Sequence, residues 1–514
     1  MAEFFTNLIA GITFALTLKN IIGILVGYLI GVIAGSIPGL MATTAMVLLL
    51  PFTFALDPLF AIAALMGCYK GGVYAGSITG TLFNIPGTPE AAATALDSYP
   101  LAQKGEELRA LEIDLYASMA GGTFANFLLL FMAPPLAAVA LKLGPAEVAA
   151  LIFFSLTAVV SLMGDTRMEI WKGTLAVSGG LFMATIGLDA MTTTRRYGFG
   201  IEGFDKGISF ITTIIALLAL SEVFIQAENV GNLEIHTQRS NRPSKVPTLI
   251  SRIQDLKTCA VDIIRSSVIG SILGALPGIG ATTAAFISYG EAKRNAKDQS
   301  LFGKGDIRGI AAPEAGNNAV CASSLIPLVT LGIPGSVAAA VLFGAFMVQG
   351  MIPGPMLMKT NPEVLYGLFF LMILTDILGG FIVAYPFIFF VRSAFRNVNY
   401  SLLFPAVAVL CGVGVYAEAF DIFDIKVLIA LGVLGYLMKK AQFSIPPFVL
   451  AYILGPILER NTRTALLISQ GSPKLFLQSP IAMILLISAI VALVWSFKRK
   501  SKTAKSTGKF MEEI

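Results

Sequence analysis

The sequence is short of charge. Of its 514 residues only 13% are Asp, Glu, Lys or Arg, whereas 56% are hydrophobic, and the mean hydropathy is +0.79. An ordinary soluble domain carries roughly 25% charged residues, because its surface must be solvated. So little charge excludes a soluble protein of this length. The net charge of +5 is also too small and too scattered to indicate nucleic-acid binding.

Histidine and paired cysteines are lacking as well. The one histidine, His236, falls in a polar segment, which leaves no His-based metal cluster or proton relay. The four cysteines are isolated in or beside apolar segments, a placement that favours buried free thiols over disulfides or a metal site. No GxxxxGK[ST], HExxH or GxSxG sequence occurs. The sequence therefore predicts neither an enzyme nor a bound cofactor.

What the chain has instead is long stretches without charge. Five of them contain about 20 residues or more, enough for a helix to cross a hydrocarbon core of ~30 Å. They are residues 21–56, 115–141, 266–290, 315–358 and 475–497. Shorter runs raise the predicted number of membrane segments to about ten to twelve. The sequence predicts an all-α polytopic membrane protein with broken helices.

The distribution of charge divides the chain into five parts. We predict an interfacial helix over residues 1–18 and two membrane units over 19–227 and 259–497. A polar linker over 228–258 separates the units, and a basic tail over 498–514 follows the second. The linker and the tail are rich in Lys and Arg, so both should face the cytoplasm under the positive-inside rule.

The two membrane units share a repeated segment. Residues 35–45 match residues 274–284 at seven of eleven positions, and Gly31 and Gly270 extend the same offset of 239. A second shared element follows in each unit at an offset of 248. It reads Asn-Ile-Pro-Gly-Thr at 84–88 and Gly-Ile-Pro-Gly-Ser at 332–336. Duplicated halves are typical of secondary transporters, so we predict a two-fold repeat; the loop charges alone leave its inversion open.

Each shared element contains a Pro-Gly pair, where a helix usually breaks because proline removes a donor and glycine permits positive φ. At bilayer depth such a break must be buried in protein or line a wet cavity. Freed amides at a half-helix N-terminus suit an anion, and freed carbonyls and hydroxyls suit a sodium ion. A single Pro-Gly pair is more often a kink or a close-packing site. Four pairs in matched positions favour a binding site for a small organic anion.

The candidate substrate-binding residues lie on these breaks, on the helical turns beside them and on neighbouring polar segments. They are Pro38, Gly39, Thr43, Thr44, Lys70, Ser77, Thr79, Asn84, Pro86, Gly87, Pro277, Gly278, Thr282, Thr283, Asn317, Asn318, Ser323, Ser324, Pro334, Gly335 and Ser336. Possible sodium sites lie near Gly39, Thr43, Asn84, Gly278, Thr282, Glu314 and Asn318. The small polar segments 76–87 and 322–335 are predicted to be two re-entrant hairpins, with tightly packed small-residue helices as the alternative.

Isolated polar residues within apolar segments leave alternatives open. Lys70 could meet a substrate or partner charge, or extend to a lipid headgroup. Asp376 could pair with a basic residue or carry a proton. Glu314, Asn317 and Asn318 could coordinate a cation or orient a carboxylate, or simply cap their segment.

Long motifs resemble those of the large membrane subunit of tripartite tricarboxylate transporters. They occupy residues 84–105, 313–318, 326–335, 350–355 and 454–463. The resemblance implies a multi-pass protein of the bacterial inner membrane that works with a small membrane subunit and a periplasmic solute-binding protein. It implies sodium- or proton-coupled import of a di- or tricarboxylate such as citrate, without a cofactor, and an inverted repeat with two re-entrant hairpins.

Two departures from the family pattern bear on the substrate. Ala75 stands where family members often have glycine, and Lys70 is a charge that the pattern does not include. The identity of the carboxylate therefore does not follow from the resemblance. A passive channel or an exporter of organic anions remains the alternative function.

Overall fold

The structure is a computed structural model that describes residues 2–37, 40–163, 166–189, 191–229, 246–278, 280–394 and 400–498. Pro38, Gly39 and His236 lie outside the described residues, as do most of the predicted linker and nearly all of the predicted tail. The predictions that fall on them stay predictions.

The described residues are mainly α-helical. The helices are α1 (Ala2–Ala15), α2 (Leu18–Gly35), α3 (Ala42–Leu49), α4 (Pro58–Phe83), α5 (Ala91–Leu101), α6 (Glu107–Ala140), α7 (Pro145–Met163), α8 (Arg167–Met183), α9 (Phe210–Ile214), α10 (Ser221–Asn229), α11 (Leu249–Ala275), α12 (Gly280–Arg294), α13 (Ile307–Ser323), α14 (Leu325–Leu331), α15 (Val337–Val348), α16 (Leu357–Thr360), α17 (Pro362–Leu374), α18 (Tyr385–Ala394), α19 (Tyr400–Ala419), α20 (Ile422–Lys440), α21 (Ile445–Ile468), α22 (Lys474–Gln478) and α23 (Pro480–Lys498).

Shorter elements connect these helices. Turns of 3₁₀-helix cover Leu50–Ala55, Glu202–Lys206 and Gln299–Leu301, and π-helical turns cover Ala102–Glu106, Ile215–Leu220 and Thr375–Ala384. Two short antiparallel strands, β1 (Gly187–Leu188) and β2 (Arg195–Arg196), form a hairpin.

Six helical segments in the described part of the chain are long and apolar enough to cross a membrane. They are Leu18–Gly35, Pro58–Phe83, Ala91–Ala140, Phe210–Glu228, Leu249–Ala275 and Pro362–Val391. Shorter apolar helices of 10–17 residues accompany them. The all-α polytopic membrane architecture predicted from the sequence is confirmed, while the total of ten to twelve segments stays a prediction.

Helices α2 and α4 pack backbone to backbone along a stripe of glycines. A Cβ added to Gly27, Gly31 or Gly35 would lie 2.0, 2.1 or 2.2 Å from the carbonyl oxygen of Ala64, Cys68 or Gly72, respectively. Small residues permit this close approach, which is a common way for membrane helices to associate. The glycines of the first repeated segment are therefore packing positions in the structure.

Matching contacts occur between α11 and α13 in the second half. A Cβ on Gly270 would lie 2.0 Å from the carbonyl oxygen of Gly316, and one on Gly274 would lie 2.9 Å from the Cα of Val320. Gly270 is offset by 239 from Gly31, and Gly316 is offset by 248 from Cys68. The offsets found in the sequence thus relate the α2–α4 contact to the α11–α13 contact.

Contacts at the two ends of helix α6 show on which face of the molecule α2 and α11 begin. At its N-terminal end, Arg109 binds Asp255 and Glu112 binds Arg252 near the start of α11, with nearest N–O distances of 2.7 and 2.6 Å. In its C-terminal half, Phe131 stacks on Phe4 of α1, which leads into α2. Helix α6 has 34 residues, which corresponds to a length of about 51 Å. Helices α11 and α2 therefore begin on opposite faces, which we name the linker face and the opposite face.

The end of α23 lies on the linker face. Lys440 at the end of α20 pairs with Glu228 of α10, close to the predicted linker. Helix α21 begins five residues after Lys440 and crosses to a small cluster where Ala465 packs with Ala146 and Ala482. Helix α23 starts at that cluster and runs parallel to α7, back toward the linker face. The predicted tail therefore leaves from the same face as the predicted linker.

The first predicted hairpin segment differs from our expectation. Residues 76–81 are part of the continuous helix α4, so they do not form the descending arm of a separate helical hairpin. Their small side chains instead pack against neighbouring helices: the Thr81 hydroxyl donates to the Ser98 hydroxyl of α5 at 2.9 Å, and Ser77 contacts Glu314 of α13. The helix continues through this segment because nothing breaks it before Asn84.

Candidate functional site

Two helix ends in matched positions form the first part of the candidate site. Helix α4 ends at Asn84 with φ of 57°, and α14 ends at Gly332 with φ of 72°, both in the left-handed region. The Asn84 amide donates to the carbonyl of Gly80, and the Gly332 amide donates to that of Leu328. Asn and Gly are the residue types that adopt this conformation most readily. The paired positions at offset 248 thus end their helices in the same way.

After each helix end, the chain folds back toward the tip of a neighbouring helix. The Gly87 amide donates to the carbonyl of Gly76 at 2.9 Å, and a Cβ on Gly87 would lie 2.6 Å from the Gly35 carbonyl oxygen. In the second half, a Cβ on Gly335 would lie 3.1 Å from the Gly274 carbonyl oxygen. Gly87 and Gly335, which belong to the second Pro-Gly pair of each half, therefore lie against the C-terminal ends of α2 and α11, respectively.

A backbone hydrogen bond joins the two breaks of the second half. The Gly278 amide donates to the carbonyl of Gly335 at 3.0 Å, and Gly278 has φ of 89°. The amides of Gly87 and Gly278 are therefore engaged by carbonyls. At the start of α3, by contrast, Met41 provides no side-chain cap, and the buried Thr44 hydroxyl has no hydrogen-bond partner among the described residues.

The sequence-predicted residues differ in their exposure. Those that are buried are Thr44, Lys70, Ser77, Thr79, Gly87, Gly278, Asn317, Asn318, Ser323, Ser324, Pro334 and Gly335. Those that are half-buried are Thr43, Pro86, Pro277, Thr282 and Ser336, whereas Asn84 and Thr283 are exposed. The Ser336 hydroxyl donates to that of Ser324 at 3.2 Å.

The two isolated charges of the sequence meet in the interior. The Lys70 ammonium of α4 lies 2.6 Å from both carboxylate oxygens of Asp376, and these residues are 2% and 5% exposed. The side-chain amide of Asn126 in α6 donates to Asp376 at 2.7 Å and to the Met372 carbonyl at 2.9 Å. Lys70 therefore does not reach a lipid headgroup, and Asp376 has the basic partner that we had considered for it.

Polar side chains from both halves surround the Glu314 carboxylate. Its carboxylate accepts hydrogen bonds from the hydroxyls of Ser77, of Thr94 at 2.5 Å and of Ser118 at 3.0 Å. The side-chain amides of Asn317 and Asn318 lie 3.4 Å from it. The structure thus brings together three sequence-predicted residues of α13 with Ser77 of α4.

Another carboxylate joins the halves at the breaks. Glu90 follows the second Pro-Gly pair of the first half, and the Thr282 hydroxyl of α12 donates to it at 3.5 Å. Both side chains are half-buried. This contact brings the first turn of α12 to the break after α4, although the two are far apart in the sequence.

Sequence reasoning missed Thr94, Asp114, Ser118 and Asn126. All four are fully or almost fully buried. Asp114 stands in a charged stretch that reads as the end of a membrane segment, with Arg109 and Glu112 beside it. The spacing of Asp114 and Ser118, four residues apart on one helix face, was the available signal.

An ion-pair network ties the β-hairpin to the motif at 454–463. Arg463 binds Asp189 at 2.5 Å and Glu459 at 3.0 Å, and Arg196 of β2 binds Glu459 at 2.6 Å. Asp189 also accepts hydrogen bonds from the amides of Met191 and Thr192. The hydrogen bond from Arg463, followed by these amides, holds the pKa of Asp189 well below its usual value. The network thus stabilises the loop after α8.

Comparison with known proteins agrees with this architecture. A family model described as the tripartite tricarboxylate transporter TctA family matches residues 21–450. An uncharacterized 52.8 kDa protein in the TAR-I ttuC' 3' region of Agrobacterium vitis is 35% identical over 495 residues, 96% of this chain and 96% of that protein. An uncharacterized protein in the TAR-II ttuC' 3' region of the same organism is 37% identical over 236 residues, 45% of this chain and 96% of that protein.

No solved structure matches the chain. The family model nevertheless covers most of the sequence, and it confirms the family resemblance carried by the motifs from 84–105 onward. The six candidate spans fit a multi-pass transporter component. The chain belongs to the tripartite tricarboxylate transporter TctA family.

Proposed function

We propose that the protein imports a di- or tricarboxylate such as citrate across the bacterial inner membrane by cation-coupled alternating access. A periplasmic solute-binding protein delivers the substrate, and a small membrane subunit completes the transporter. The coupling cation is sodium or a proton. The observation that carries the proposal is the matched pair of helix breaks, at Gly35 and Gly87 in one half and at Gly274 and Gly335 in the other.

The directions of the matched helices support an inverted repeat. Helix α2 starts on the opposite face and α11 on the linker face, as the contacts at Phe131 and at Arg109 indicate. Segments related by the offset of 239 therefore run in opposite directions. Inverted repeats with broken helices are a common plan of secondary transporters, with the substrate bound near the bilayer midplane.

The re-entrant hairpins of this proposal are α2–α3 and α11–α12. Lys19 in the first turn of α2 pairs with Asp57, 3.7 Å away, immediately before α4. Helices α2 and α3 therefore enter and leave on one face. The equivalent pair in the second half would enter from the linker face. Irregular backbone at such tips is tolerated only where it is buried or lines a cavity.

Charge distribution supports a cytoplasmic linker face. The predicted linker and tail, both rich in Lys and Arg, leave from that face, so the positive-inside rule assigns it to the cytoplasm. The β-hairpin and the opposite face would then meet the periplasm, where the solute-binding protein delivers its cargo.

The helix ends at the breaks provide groups suited to a carboxylate. The first turns of α3 and α12 carry Thr43 and Thr44, and Thr282 and Thr283, respectively. Free amides at a helix N-terminus attract anions, and the threonine hydroxyls add donors. Since Lys70 is held by Asp376, a direct role for Lys70 in binding would require this ion pair to open.

Transport by the complete system tests the proposal. The chain would be reconstituted in proteoliposomes with its small membrane subunit and the solute-binding protein, and supplied with a panel of radiolabelled carboxylates. We expect accumulation against the substrate gradient that collapses when the sodium or proton gradient is dissipated. Movement only down the substrate gradient would refute the carrier and favour the channel or exporter.

A further inference from the structure

Asp114 is a buried carboxyl group to which no described residue donates a hydrogen bond of ordinary geometry. It lies on α6 with 0% of its surface exposed, and neither of its oxygens has a partner among the described residues. An isolated ionised carboxylate is strongly disfavoured in the interior unless a charge or donors compensate it. Because the Asp114 carboxyl group lies beside that of Glu314, the two must share a proton or bind a cation.

The surroundings of Asp114 are rich in oxygen. Its carboxyl group faces Glu314, and the Ser118 hydroxyl, one turn further along α6, gives its hydrogen to Glu314. The hydroxyls of Ser77 and Thr94 do the same. A hydroxyl that donates its hydrogen to one oxygen keeps its own lone pairs for another ligand. Because the three hydroxyls donate to Glu314, the lone pairs of their oxygens remain available to a further ligand.

A second buried oxygen nearby also lacks a partner. The Tyr74 hydroxyl of α4 is fully buried and has no hydrogen-bond partner in the described part of the chain. Two buried side chains with oxygen atoms, one on α4 and one on α6, thus lack a hydrogen-bond partner in the described part of the chain.

No basic side chain neutralises the two carboxylates in the described structure. Lys70 is bound to Asp376, and Arg252 is bound to Glu112 on the outer turn of α6. Two adjacent carboxyl groups without a basic partner hold either a shared proton or a cation. Carboxylate and hydroxyl oxygens are hard ligands, which suit hard cations rather than the softer transition metals.

We propose that Asp114 is the principal ligand of a sodium ion, with the hydroxyl oxygens of Ser77, Thr94 and Ser118 as further ligands. Glu314 is a positioning residue, because its carboxylate orients these three hydroxyls. This site rests on the proposed function, because it assigns sodium as the coupling ion. It also links the halves, since Glu314 belongs to the second and the ligands belong to the first.

Sodium binding by the purified full-length chain tests the site directly. Thermal unfolding in detergent would be followed in NaCl and in KCl at equal ionic strength, because a ligand that binds only the folded state raises the melting temperature. We expect sodium to raise it for the wild type and not for Asp114→Asn. The matched control Asp298→Asn, at an exposed aspartate on the linker-face loop, should keep the sodium effect.

A second variant keeps the test informative if Asp114→Asn folds poorly. Glu314→Gln keeps the shape of the side chain but weakens its hold on the hydroxyls, and should reduce the apparent sodium affinity by about 10–100-fold, as outer-shell changes do at metal sites. An unchanged sodium response in both variants would overturn the site. So would a wild-type response that depends on pH and is identical in NaCl and KCl, since Asp114 would then carry a proton.

Transport separates failure of this site from failure of the proposed function. If the wild-type system accumulates carboxylate with a sodium gradient and Asp114→Asn does so equally well, the site is wrong and the function stands. If the wild-type system accumulates no carboxylate under any gradient while sodium stabilises the wild type and not Asp114→Asn, the binding site stands and its coupling role falls with the function.

Discussion

The Lys70 ammonium lies 2.6 Å from both carboxylate oxygens of Asp376, although 306 residues separate the two in the sequence. The pair joins α4 to the π-helical turn after α17, and Asn126 adds a hydrogen bond from α6. Three membrane helices are therefore held at one buried point.

Breaking this ion pair should destabilise the protein. Lys70→Met leaves the Asp376 carboxylate buried without a cation, which typically costs about 3–5 kcal/mol. The double variant Lys70→Met/Asp376→Leu removes both charges and should recover most of the loss. Thermal unfolding in detergent measures the difference, with Lys297→Met at an exposed lysine as the control. A single variant as stable as the wild type would contradict the structural role.

The double variant also separates packing from substrate binding. If it is stable and its uptake keeps an unchanged KM, Lys70 acts only as a partner of Asp376. We expect instead that the KM for the carboxylate rises, because Lys70 lies two residues before Gly72, where α4 contacts the end of α2.

The side chain of Asn84 can be tested apart from its backbone. Asn84 has φ of 57°, so Asn84→Ala adds about 1–2 kcal/mol of backbone strain, whereas Asn84→Gly adds none. We expect both variants to abolish uptake while membrane insertion persists, since we propose that the exposed side-chain amide contacts the substrate. Full uptake by Asn84→Gly alone would show that only the backbone conformation matters.

Asn318 provides the equivalent test in the second half. Its side-chain amide donates to the Glu314 carbonyl at 3.1 Å and to Asn317 at 2.6 Å. Asn318→Ala should abolish uptake without preventing insertion, because it removes polar groups beside Glu314. Near-normal uptake of Asn318→Ala, measured at equal protein in the membrane, would remove this residue from the site.

The glycine contacts should tolerate no side chain. Gly31→Ala and Gly270→Ala each place a Cβ near 2 Å from a carbonyl oxygen, at Cys68 and Gly316, so the helices must separate. We expect each to cost about 1–3 kcal/mol, as overpacking does. Gly290→Ala on α12 has open space and should be neutral or stabilising. Equal thermal stability of all three variants would contradict the packing.

The contribution of the Asp189 ion pairs to stability should persist in mild acid. Because the pKa of Asp189 in the folded protein lies below the unfolded value of about 3.9, its contribution to stability is fully present above that pH and is lost as the pH falls through the folded pKa. Asp189→Asn should therefore lower the melting temperature by a constant amount from pH 8 to pH 5. The difference from the wild type should shrink only in stronger acid; a difference that vanished near pH 6 would contradict the depressed pKa.

The sequence predicted those parts of the molecule that depend on local rules. The apolar runs predicted membrane helices, and the matched Pro-Gly pairs marked the breaks at Asn84 and Gly332, since proline and glycine act on their own stretch of chain. The helical course of residues 76–81 was only the alternative prediction, because small polar residues fit both a hairpin tip and a packed helix.

Contacts between distant segments could not be predicted. Lys70 and Asp376 were each recognised as unusual, yet nothing in either segment identifies the other as its partner. Asp114 escaped notice because its neighbours Glu112 and Arg109 are ordinary interfacial charges, and its burial depends on α13 packing against α6. Glu314 was selected, but the hydroxyls that surround it come from three other helices.

The reciprocal ion pairs at the start of α6 and α11 bear on how the gene could be divided. Two ion pairs, Arg109–Asp255 and Glu112–Arg252, connect the two halves at the face from which the predicted linker leaves. If the chain were cut within residues 230–245, these two ion pairs and the Glu314 contacts could still form between the fragments. We therefore expect two separately translated fragments to co-purify as one complex, which would show that the halves assemble without peptide continuity.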